Sequence, residues 1–136
     1  MSILIKNVLL NEQRTDILIK GNKIAAVAKN IIAEDIEKTI DGNNKAAFPG
    51  LVNGHTHAAM TFFRGYGDDL PLEEWLTTKI WPNERNLTDE IVYWGTKLAC
   101  LEMIKTGTTT FNDMYFRFKE SARATDEMGI RGVFPQ

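Results

Sequence analysis

A single cysteine, Cys100, stands in the sequence of 136 residues, so no disulfide can form within the chain. Its place in an apolar, helix-like run reads as a small buried hydrophobe rather than a reactive thiol. No apolar run approaches the ~18–20 residues of a membrane-spanning helix, and the N-terminus lacks a basic stretch followed by a continuous apolar core. A soluble, cytoplasmic protein of a reducing compartment, without a membrane partner, is the expectation. Excess charge is missing as well: 16 basic residues against 18 acidic ones leave a formal net charge of -2. The basic residues are scattered rather than gathered into a stripe, which argues against nucleic acid as a partner. Histidine is scarce too, with only two in the chain, His55 and His57, one threonine apart.

What is present falls into two textures. From Ile3 to Leu10 and from Asp16 to Val27 the residues are β-branched and aliphatic, and Gly21-Asn22 suits the positive φ angles of a tight hairpin turn. Shorter runs, Lys38 to Asp41 and Ala46 to Phe48, follow before Pro49-Gly50. Together they predict a small antiparallel sheet over residues 1–48. From residue 49 onward strands and helices alternate. Leu51 and Val52 read as a short buried strand, with Gly54 letting the backbone turn beyond it. Thr88 can cap a helix whose first turn carries Asp89 and Glu90, with Leu87 stapled against Val92 and Gly107 just past the end. Ile91, Trp94, Leu98 and Leu101 recur at helical spacing and mark its expected buried face. Thr108 to Phe111 reads as a strand ending near Asn112-Asp113, Phe116 to Met128 as a helix stopped by Gly129, and Ile130 to Phe134 as one more strand. The order β, α, β, α, β implies an α/β fold with parallel strands.

Residues two apart on an extended strand point to the same side, so His55 and His57 can converge on one ion while Thr56 turns away. The C-terminal end of a strand in a parallel sheet is where such folds place their chemistry. A bare histidine pair is nevertheless more often a solvated or hydrogen-bonded structural feature. Catalytic zinc takes about three protein ligands and an open position, and the sequence has no HExxH helix or CxxC pair to complete a set.

The surroundings of the pair carry more weight. "FPGLVNGHTH", preceded by "DILIKGNKIAAV", resembles the barrel entrance of the amidohydrolase superfamily. Downstream, "MTFFRGYGDDLPLEEWLTTKIWPNE" and "EMIKTGTTTFNDMY" resemble the subgroup that deaminates 5'-methylthioadenosine and S-adenosylhomocysteine. This resemblance covers essentially the whole chain. It implies the N-terminal part of a metal-dependent (β/α)8 TIM-type barrel in residues 49–136, preceded in 1–48 by strands of a small composite β-sandwich. It also implies that His55 and His57 are the first two ligands of one divalent metal ion, zinc foremost and iron as the alternative.

By the same resemblance Trp75 would wall the substrate pocket and Glu84 would accept hydrogen bonds from ribose hydroxyls of a nucleoside substrate. Without it, Trp75 reads as a core tryptophan and Glu84 as a solvated charge. Asp68-Asp69 and Glu73-Glu74 read as loop and helix-start charges, Met60, Phe62 and Phe63 as barrel packing, and Asp113 as a weaker site candidate. The implied reaction is hydrolysis at C6 of an adenine ring, releasing ammonia, by water whose pKa a metal lowers from ~15.7 toward ~7. The family's acid/base glutamate, two further histidines and an aspartate belong to later strands, so no catalytic residue is assigned in this segment. Since a barrel of this type takes roughly 200–400 residues, the chain is expected to be the N-terminal portion of a longer enzyme, inactive alone. The alternatives are a guanine- or cytosine-type deaminase, a triazine chlorohydrolase, or a noncatalytic association module. A second copy of the chain is admitted as a partner.

Overall fold

Alternating aliphatic and polar residues near the N-terminus build a hairpin of β1 (Ser2–Leu10) and β2 (Gln13–Lys20) in the computed structural model, which describes residues 1–134. Its tip is Asn11-Glu12, both at positive φ, the backbone that matches the twist of two antiparallel strands. Gly21, at φ +63, turns the chain into β3 (Lys23–Ala28). The connection 29–37 then carries it to the far edge of the sheet, where β4 (Lys38–Asp41) pairs with β1 in parallel. The sheet order is β3-β2-β1-β4. It is mixed, not antiparallel as the turn signals imply, because a crossing connection rather than a hairpin precedes β4. The expected strand Ala46 to Phe48 reduces to one bridge between Ala46 and Leu9.

This first unit, Met1–Pro49, buries Leu4, Val8, Ile17 and Leu18. Its buried carboxylate, Asp16, accepts hydrogen bonds from the backbone N–H groups of Asn7 (2.8 Å) and Ile31 (2.9 Å). The first lies at the bulge that shifts the β1 register between Ile5 and Val8 and the second ties down the connection after β3, so the buried carboxylate is satisfied.

The second unit, Gly50–Gln136, is a parallel sheet of order β5-β6-β7, formed by Leu51–Thr56, Thr108–Asp113 and Arg131–Val133. Between β5 and β6 lie a 3-10 turn (Ala58–Phe63), α1 (Leu72–Trp75), a π turn (Leu76–Ile80), α2 (Trp81–Glu84) and α3 (Asp89–Lys105). Between β6 and β7 lies α4 (Phe118–Met128). Thr88 caps α3, its side chain accepting from the Ile91 N–H at 3.2 Å, and Leu87 packs with Val92 and Ala59. Ala58, Ala99, Cys100, Met103, Phe111 and Ile130 form the core between the helices and the sheet.

The buried side of α3 differs from the expected one. Val92, Gly95, Thr96, Ala99, Cys100 and Met103 are buried, whereas Ile91, Trp94, Leu98 and Leu101 lie on the opposite, exposed flank. Small residues win because they permit close approach: Thr96 bonds Ser121 of α4 at 3.2 Å, and Gly95 sits against the Ala59 backbone. Leu51 and Val52 are likewise exposed, not buried, since β5 is an edge of this sheet. Gly54 has an ordinary negative-φ strand backbone, with open space where a side chain would stand. α4 begins at Phe118 because Arg117 takes a left-handed conformation. Among the described residues no helix is long and apolar enough to cross a membrane.

Candidate active site

The extended backbone of β5 places His55 and His57 on one side and Thr56 on the other. Their Nε2 atoms lie 3.3 Å apart, with the rings at 86° to each other. Thr56 turns toward β6, its hydroxyl 3.0 Å from the Asp113 carboxylate. Asp113 is only 1% exposed and also accepts the N–H of Ala58, the first residue of the 3-10 turn, at 2.8 Å. One residue on, the Met114 N–H donates to the Thr56 carbonyl at 3.0 Å. The Met114 carbonyl in turn faces Nδ1 of His57 at 2.5 Å. A carbonyl only accepts, so Nδ1 of His57 carries the proton and, in the neutral ring, Nε2 keeps its lone pair.

This donor set fits a divalent transition metal. Two nitrogens each about 2.0–2.1 Å from a tetrahedral zinc stand about 3.3–3.4 Å apart, the separation of the two Nε2 atoms. The carbonyl behind Nδ1 is the usual outer partner of a ligating imidazole. Two ligands are not a set, however, and no group of three or more His, Cys, Asp or Glu side chains converges among the described residues.

His57 opens onto a cleft of about 730 Å³ lined by Met60, Trp75, Glu84, Met114 and Tyr115 among others, most of them apolar. Trp75 closes α1 and is held by its indole N–H, which donates to the Tyr66 carbonyl at 2.9 Å. Glu84 ends α2 and accepts the Tyr115 hydroxyl at 2.9 Å. Burial first, and then the Glu84 carboxylate, push the Tyr115 phenol far above its usual range, so it stays a donor. The structure thus gathers His57, Trp75 and Glu84 around one cleft, with His55 beside His57. Asp68, Asp69, Glu73 and Glu74 do not line it; the first two lie in a loop and the others in the first turn of α1. Met60 lines the cleft and Phe63 packs on the Ala59 cluster, while Phe62 is half exposed with its ring edge beside Gly95 of α3. Sequence reasoning passed over Tyr115 and the Met114 carbonyl; the only hint of either was the polar end of the strand in "FNDMY".

The chain belongs to the amidohydrolase family, whose model matches residues 46–136. Among curated relatives, it is 59% identical over 133 residues to the 5'-deoxyadenosine deaminase of Methanocaldococcus jannaschii, covering 96% of this chain and 31% of that protein. It is 53% identical over 141 residues to the 5-methylthioadenosine/S-adenosylhomocysteine deaminase of Carboxydothermus hydrogenoformans, covering 98% of this chain and 33% of that one. A solved adenosine deaminase from Xanthomonas campestris with bound zinc superposes with a TM-score of 0.87 at 34% identity, over 96% of this chain and 32% of that chain. The chain therefore spans about a third of the length of the curated relatives it matches.

Proposed function

We propose that these residues carry the first two metal ligands and one wall of the nucleoside pocket of a hydrolytic deaminase acting on 5'-substituted adenosines: 5'-deoxyadenosine, 5'-methylthioadenosine or S-adenosylhomocysteine. The observation that carries the reading is the convergence of His55 and His57 at 3.3 Å beside a cleft that also holds Trp75 and Glu84. The names of the relatives support it. In this reading β5, β6 and β7 are the first strands of a (β/α)8 barrel, and residues 1–48 supply strands of a small β-sandwich. The exposed edge of β5 and the apolar flank of α3 are where the rest of that barrel packs. Zinc is the proposed ion and iron the alternative, since imidazole suits both.

When bound, the ion supplies an acidified water at neutral pH. The residues of this chain do the rest of the local work. The Met114 carbonyl holds the His57 proton on Nδ1 and so leaves the Nε2 lone pair free, where it would ligate the ion. Trp75 offers a flat apolar face to the substrate while its N–H is already satisfied by Tyr66. Glu84, an acceptor only, takes the ribose hydroxyls. The remaining ligands and the acid/base group come from outside these residues.

The test is a substrate panel on the full-length protein. Adenosine derivatives are deaminated, and Glu84→Ala lowers kcat/KM for nucleosides by about 100-fold while leaving free bases within about threefold. If guanine, cytosine or a triazine is the preferred substrate and Glu84→Ala affects all compounds equally, this reading is wrong.

A further inference from the structure

We infer that Tyr115 is a positioning residue for nucleoside recognition: its hydroxyl holds the Glu84 carboxylate in the orientation that receives the ribose diol. The inference rests on the proposed role of Glu84 and extends it to a side chain from a different element. Tyr115 follows β6, whereas Glu84 ends α2, and both line the cleft. The phenol donates to Glu84 Oε1 at 2.9 Å. Its ring meanwhile packs against Phe116, with centroids 5.4 Å apart, and lies 6.1 Å from the His57 ring. A single rigid side chain therefore fixes the spacing between the imidazole pair and the carboxylate, and so between the reacting end and the sugar end of a nucleoside.

The need for such a brace follows from the local backbone. Glu84 sits at the end of a four-residue helix that emerges from a π turn and carries Pro82 in its first turn. A glutamate side chain on such a short element would otherwise lose rotamer freedom only when substrate binds. A phenol also suits the task chemically. It donates a single proton to one oxygen, whereas an ionised carboxylate offers about four lone-pair sites. Enough acceptor capacity remains for two vicinal hydroxyls. A lysine or arginine in the same place would supply several donors and compete with the sugar for those sites. The phenol is also kept protonated by burial and by the charge of Glu84 itself.

The experiment is a double-mutant cycle in the full-length protein. Tyr115→Phe, which removes only the hydroxyl, raises KM for 5'-methylthioadenosine about tenfold and leaves kcat within about twofold. In the Glu84→Ala background the same change has no further effect, because the carboxylate to be held is gone. Calorimetric titration with the deaminated product shows the same tenfold weakening without turnover. An unchanged KM in Tyr115→Phe, or an equal fold-change in both backgrounds, overturns the assignment while leaving the proposed activity intact. Absence of turnover in the unmodified protein instead removes the proposed activity, and this inference with it.

Discussion

Asp113 shows how much a single residue contributes to holding the histidine pair. Its carboxylate is buried at the end of β6 and takes the Ala58 N–H at 2.8 Å and the Thr56 hydroxyl at 3.0 Å, one residue on either side of His57. Removing it strands a buried N–H and breaks two charge-assisted bonds, each worth about 1.5–3 kcal/mol. Asp113→Ala is therefore expected to lower stability by about 3–6 kcal/mol, read as a shift in the urea midpoint at constant slope. Asp113→Asn keeps an acceptor oxygen and loses clearly less. Equal losses for the two variants would show that volume rather than the accepting oxygen matters here. At this scale the sequence is readable where two residues act through near-neighbour spacing, as His55 and His57 do. It is not readable where partners are brought together by a crossover. Nothing in "WPNE" announces that Glu84 meets Tyr115, and nothing in Asp113 separates a brace from a ligand.

Within elements, capping chemistry translated directly into structure and packing did not. Thr88, Leu87 and Gly107 terminate α3 as their residue types require, because caps depend on backbone groups a few residues away. The packed face of α3 depends instead on what lies opposite. The large apolar residues pointed to one flank, but the 3-10 turn and α4 took the flank of small ones. Gly95 makes this testable. A Cβ there would stand 2.7 Å from the Ala59 carbonyl oxygen and 3.0 Å from its Cα, backbone atoms that cannot swing aside. Gly95→Ala gains about 1 kcal/mol of helix propensity but forces overpacking that costs about 1–3 kcal/mol. A net destabilisation of about 1 kcal/mol is expected by thermal or urea unfolding. A stabilised variant would show that α3 can move away from the turn.

For the whole molecule, the alternation of strand and helix in residues 49–136 was legible because period and turn residues are local. The mixed direction of the first sheet was hidden in one long connection, and the exposure of Leu51, Val52 and the α3 flank is a property of neighbours. The proposed metal site obeys the same logic. Two imidazoles stand 3.3 Å apart, the spacing of two ligands on one ion, and no third candidate joins them among the described residues. Complete structural zinc sites in peptides reach about 10–16 kcal/mol of binding. Two ligands, with the His57 tautomer already set, should supply about half of that, a Kd of about 1–200 μM. Titrating the chain of 136 residues with zinc should therefore show micromolar binding at one equivalent, weakened at least about tenfold by His57→Ala. With zinc added, the same material should not turn over 5'-methylthioadenosine, because two ligands among the described residues would leave a bound ion without the set that fixes an open position. Nanomolar binding would mean that further donors reach the pair, and turnover would mean that this segment alone completes the site.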